Sequence, residues 1–97
     1  MVNKNVKDRI EIVDCKNTKG VFYPKNNVSG KLSFINCEEV IGIEFDIAEK
    51  VFALDLSNLP NLVYLNIART NIKWLDDTPE KCIVYCGSKV IINRVIY

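Results

Sequence analysis

The chain has 97 residues, 48% of them hydrophobic and 26% charged, a composition suited to one folded domain and not to a disordered segment. Its 13 basic and 12 acidic residues are interspersed and leave a net charge of +1, which excludes the basic footprint of a nucleic-acid binder and the acidic one of a polyanion mimic. Histidine is absent, and with it the commonest general base and every Ser/His or Cys/His nucleophile.

Residues 1–9 form a polar N-terminal segment without the apolar stretch of a secretory signal, and no apolar run further on is long enough to span a bilayer. This points to the cytoplasm, or to the host cytoplasm if the source is a virus, where cysteines stay reduced. Asn, Ile and Lys supply about a third of the chain, the mark of an AT-rich genome and hence of a bacterial or viral source.

From Ile10 onward the chain is periodic. Apolar pairs with one residue between them recur every 11 residues at Ile10/Ile12, Val21/Tyr23, Leu32/Phe34, Ile43/Phe45, Leu54/Leu56 and Leu65/Ile67. Five residues after each pair begins stand Cys15, Asn26, Cys37, Ala48, Leu59 and Thr70, alternately large or sulfur-bearing and small or polar, so the true repeat is 22 residues. Self-similarity at that length is the signature of a solenoid, whose coils bury their apolar faces only against neighbouring coils. Each pair sits in a short stretch of period-two alternation, which predicts strands of three to five residues with the pair facing inward. Gly20, Asn26-Asn27, Ser29-Gly30, Gly42 and Leu59-Pro60-Asn61 supply turn chemistry between them. Ile47 to Leu56 admits one helical turn, although the 11-residue register runs straight through it.

The coil Leu62-x-x-Leu65-x-Ile67-x-x-Thr70-x-Ile72-x-x-Leu75 resembles the leucine-rich repeat, with Thr70 where that family places Asn or Cys. Val40-x-x-Ile43-x-Phe45-x-x-Ala48 resembles it more weakly, and Leu32-x-Phe34-x-x-Cys37-x-x-Val40 is similar to the family's BspA-type branch. The resemblance implies an α/β fold by that family's convention, β-dominated here. It is a right-handed solenoid of about three 22-residue coils over residues 10–75, with short parallel strands and a C-terminal β-hairpin cap over 76–97. An all-β, two-sided β-solenoid is the structural alternative. In the family the Asn side chain forms a ladder onto the backbone of adjacent coils; Thr70 can supply part of that bonding and Ala48 none.

Register is lost after Leu75. Asp76-Asp77-Thr78-Pro79-Glu80 reads as a loop, Cys82 to Cys86 as a strand, and Gly87-Ser88 as a two-residue hairpin turn into Lys89 to Ile96. The apolar end Val95-Ile96-Tyr97 also suits an edge strand that pairs with a second copy, giving a homodimer.

Cys15 and Cys37 occupy one phase of the repeat, the slot that Leu59 fills in the third coil, which predicts small, buried, reduced hydrophobes. Cys82 and Cys86, in a strand, put both sulfurs on one side. Without histidine or paired C-x-x-C spacings no metal or other cofactor is expected. Asp76-Asp77 and Glu38-Glu39 fall where turns are expected, and no phosphate-binding glycine motif is present, so no enzyme activity is expected.

The resemblance makes the sheet carrying the leucine-rich phrase the ligand surface. Its outward residues by alternation are Gly20, Phe22 and Pro24, then Gly42, Glu44 and Asp46, then Tyr64, Asn66 and Ala68. The candidate protein-binding set is Phe22, Glu44, Asp46, Tyr64, Asn66, Arg69 and Trp74, with Trp74 equally suited to packing under the cap. The function expected is a non-enzymatic protein-binding module with a protein partner, and neither nucleic acid nor membrane. The alternatives are a small phage or mobile-element inhibitor that blocks a host or defence enzyme, and a structural subunit that assembles through its edge strands.

Overall fold

A computed structural model describes residues 9–25 and 28–97. Segment 1–8 and the Asn26-Asn27 corner, both given roles above, lie outside the described residues. No helix occurs among the described residues, Ile47 to Leu56 included.

Two parallel sheets face each other across the core. The first is β1 (Ile10–Asp14), β3 (Gly30–Ile35) and β5 (Val51–Asp55), in that order. The second is β2 (Gly20–Phe22), β4 (Val40–Glu44), β6 (Tyr64–Asn66) and β7 (Ile83–Tyr85). The chain crosses from one sheet to the other and back in each turn, so it is a two-sided β-solenoid of about four turns, with β7 completing a turn beyond the three expected.

Alternation sets the core in the middle coils. Leu32 and Phe34 from the first sheet meet Ile43 and Phe45 from the second, all buried, and Leu54, Leu56, Leu65 and Ile67 repeat the layer one coil on. Each such side chain contributes about 1.5 to 3 kcal/mol relative to exposure. Every patterned position of the leucine-rich phrase, Leu62, Leu65, Ile67, Thr70, Ile72 and Leu75, is buried. Gly30 opens β3 at φ 80 inside the stack, a left-handed conformation that a side chain rarely adopts.

The inter-coil ladder exists, but at other positions than the family's. Asn58 donates to the Phe34 carbonyl (3.2 Å), Asn61 to that of Glu38 (2.6 Å) and Asn71 to that of Glu49, each reaching back about one coil. Thr70 instead closes its own turn, donating to the Ile67 carbonyl (2.8 Å) and accepting from the Ile72 amide (3.3 Å).

The first coil departs from the expected register. Glu11, not Ile10, pairs with Leu32, and Ile12 pairs with Ser33, so Ile10 and Ile12 face outward, 69% and 66% exposed. The cause lies at the corner. In the second coil Asn36 takes a left-handed φ of 58 between Ile35 and Cys37, whereas Asp14 in the first stays in the strand and leads straight to Cys15. Cys15 remains level with Cys37, its amide donating to the Ile35 carbonyl (2.9 Å), so one fewer residue fits before it and the whole strand reverses its faces. The second sheet repeats the shift: Phe22 pairs with Ile43, leaving Val21 and Tyr23 outward where they were expected inward.

The cap is a hairpin, but not at Gly87-Ser88. There Cys86 and Lys89 close a simple turn (3.3 Å), and the hairpin is β8 (Ile91–Ile92) with β9 (Val95–Ile96), turning at Asn93 and Arg94, both left-handed. β9 is also bonded on its other side, Ile96 donating to Lys73 (3.0 Å) and Leu75 to Arg94 (2.9 Å), so the C-terminal strand is not the open edge expected of it.

Cys15 and Cys37 are each 1% exposed, and all four cysteines are free. Burial, with the neighbouring Cys15 thiol adding to it, pushes the Cys37 thiol up to about 12, and burial also raises Cys15 and Cys82. Cys82 and Cys86 sit on the core side of β7 with Val84, as the alternation requires.

Candidate functional site

Because Ile43, Leu65 and Val84 turn inward in register, their neighbours form rows on the outer face of the second sheet. One row is Val21, Gly42, Tyr64 and Ile83. The next is Glu44, Asn66 and Tyr85, joined by Tyr23, the residue after Phe22. Beyond these stand Asp46, Ala68 and Arg69.

Gly42 shapes the first row. A Cβ there would lie 3.3 Å from Val21 Cγ2 and 3.4 Å from Tyr64 Cδ2, so the bare backbone lets those side chains close over it. Tyr64 in turn leans toward the second row, its hydroxyl 3.5 Å from Glu44 Oε1. Asn66 holds the same oxygen with its Nδ2 at 3.2 Å, while its Oδ1 accepts from the Ala68 amide at 3.1 Å. Glu44 is thus fixed by neutral donors and forms no ion pair with any described residue. Asp46 is balanced by Arg69 at 3.5 Å, both exposed.

The second row with Asp46, Ala68 and Arg69 lines an open groove of about 630 Å³, with Tyr23 at one end, Tyr85 at the other, and Glu44 and Asn66 between them; Tyr64 stands beside it. Tyr23 is 64% and Tyr85 52% exposed. Glu44, Asp46, Tyr64, Asn66 and Arg69 therefore share one face. Phe22 does not, since it packs against the core. Trp74, half exposed, bridges Val95 at the cap and does not line the groove.

Tyr85 was readable: Cys82 and Cys86 on one side of a strand put Tyr85 on the other. Tyr23 was hidden by the slip in pairing between Gly20 and Val21, which sets Phe22 and not Tyr23 beside Ile43.

The outer face of the first sheet is different in kind. Asp14 accepts from Asn36 (3.1 Å) and from the Lys16 amide (3.0 Å), and these bonds hold its carboxyl below the usual carboxylate range. Asp55 is held low by the Ser57 hydroxyl and amide. Both carboxylates are thus satisfied locally, on a face that also exposes Ile10, Ile12 and Ile35.

The two acidic pairs are exposed, Asp76 meeting Arg94 at 3.0 Å. Among the described residues no three Cys, Asp or Glu are grouped to hold a metal ion, and no helix is long and apolar enough to cross a membrane. Comparison of the chain with protein-family models, with curated proteins and with solved structures gave no match.

Proposed function

We propose that the protein is a non-enzymatic binding module of the cytoplasm that presents the outer face of the β2-β4-β6-β7 sheet to a protein partner. One observation carries the reading: four strands bring Tyr23, Tyr64, Tyr85, Ile83 and Glu44, a carboxylate with no counter-ion among the described residues, onto one continuous surface. Tyrosine is favoured in interfaces because it brings a large contact area at little entropic cost and keeps a hydroxyl for bonding. The buried leucine-rich phrase from Leu62 to Leu75 lends second support, as that family uses such a sheet for binding.

The test is titration calorimetry against a purified partner with three variants. Tyr64→Ala should weaken the complex by about 2 kcal/mol or more, and Glu44→Lys should slow association if the partner is basic. Ser33→Arg, on the opposite sheet, should change affinity little. Loss at Ser33→Arg with full affinity in the other two would place the interface on the first sheet instead.

A further inference from the structure

Resting on that reading, the groove's chemistry narrows what it accepts. Asp46 already has Arg69, so the groove charge left uncompensated among the described residues is that of Glu44. Both bonds that Glu44 receives fall on Oε1, and Oε2 accepts none from any described residue. Asn66 has both ends of its amide committed, so it holds the carboxylate in place and offers an entering group little of its own. The ligand must therefore bring a cation with N–H donors, and it must tolerate aromatic walls.

Spacing selects among cations. Tyr23 and Tyr85 stand three interstrand steps apart, about 14 Å between backbones. That is too wide for one flat group clamped between two rings. It fits a group that stacks on Tyr23 beside Glu44 while an aliphatic stem runs across the sheet toward Tyr85. An ammonium is a compact, strongly hydrated charge, whereas a guanidinium is planar, stacks on aromatic faces and meets a carboxylate with parallel N–H bonds. We infer that the groove takes an arginine side chain presented by the partner, its guanidinium on Glu44 and against Tyr23, its stem directed toward Tyr85.

The probe is a capped Gly-Ser-Arg-Ser-Gly peptide, with lysine and citrulline counterparts, titrated into the isotope-labelled full chain and followed by NMR. The arginine peptide should produce saturable shifts at Tyr23, Asn66 and Tyr85, the lysine peptide should bind more weakly, and the neutral citrulline peptide should not saturate. Glu44→Gln, which keeps the size of the side chain, should weaken the arginine peptide about tenfold, as expected for loss of one charged contact. Equal shifts from arginine and lysine, or shifts at Asp76 and Asp77 as large as those in the groove, would overturn the inference in favour of unspecific charge attraction. Failure of the peptide while Tyr64→Ala still weakens the partner complex would remove the arginine and leave the binding face standing. Saturable peptide binding with a partner complex indifferent to Tyr64→Ala and Glu44→Lys would keep the arginine groove and remove the face from partner binding.

Discussion

The second coil buries Leu32 and Phe34 completely, whereas the first turns Ile10 and Ile12 out to solvent on the adjoining strand. The two strands lie side by side in one sheet and end in the same slot, with Cys15 against Cys37. What separates them is a corner one residue shorter, since Asn36 stands before Cys37 and Asn58 before Leu59 but β1 runs straight into Cys15; Asn36 is left-handed there and Asn58 is not, so the residue count and not the conformation decides. In a solenoid the faces of a strand are therefore decided at its corner, and β1, with only β3 beside it among the described residues, tolerates a reversal that an inner strand would not.

The sharpest way to break this comparison is a pair of truncations. Phe34→Ala should cost about 3 to 5 kcal/mol in urea denaturation, because it empties a closed core. Ile12→Ala should stay within about 0.5 kcal/mol, as for other exposed sites. Comparable losses at the two positions would mean that the first coil occupies the same register as the second.

The shared slot gives the next test. Cys37→Ser should cost about 1 to 2 kcal/mol, since a hydroxyl replaces a sulfur in an apolar site with the Ile35 carbonyl and the weakly bonding Cys15 thiol at hand. Native-state labelling of Cys15 and Cys37 should be slow and become fast on unfolding, whereas Cys82 and Cys86, only partly buried, should react sooner.

Alkaline titration probes the same thiols. The folded pKa of Cys37 is raised to about 12 from 9.0, so its contribution is fully present below pH 9 and is lost as pH rises through about 12. Denaturation midpoints should fall over that window, and the part due to Cys37 should vanish in Cys37→Val. An equally steep fall in the variant would assign the alkaline loss to other groups.

The smallest effect belongs to the cap. Arg94 holds a φ of 71 and an exposed ion pair with Asp76. Left-handed backbone costs a side-chain-bearing residue about 1 to 2 kcal/mol and a surface pair contributes about 0 to 1, so Arg94→Gly should stabilise by about 0.5 to 1 kcal/mol in thermal denaturation. A net loss would show that the Asp76 contact is the stronger of the two.

Much of this was legible in the residues. Leu32, Phe34, Ile43 and Phe45 declare their strands and faces by alternation, and Leu59 in the cysteine phase declares that slot apolar. Glu44, Asp46, Tyr64 and Asn66 follow from the same parity. What escaped was the residue count at the corner: nothing in Asp14-Cys15 announces that the first coil drops the residue that Asn36 and Asn58 supply before Cys37 and Leu59. Phe22 and Tyr23 change places for a separate reason, the slip in pairing between Gly20 and Val21, which no residue type there announces. The Asn ladder escaped because Asn58, Asn61 and Asn71 do its bonding from corners outside the family's usual position.

The hairpin β8-β9 has a consequence for self-association. A stack of parallel strands is polar, so copies adding end to end would form a heterologous contact, which does not close and grows into fibres. On the second sheet, β7 at one end and β2 at the other are free on their outer sides among the described residues and run in matching directions, the geometry such growth requires. The hairpin forms a sheet of its own and is bonded antiparallel to Lys73 to Leu75, the segment after the last coil, so it runs against the parallel direction that such growth needs. An antiparallel pair at that place works against growth by parallel addition.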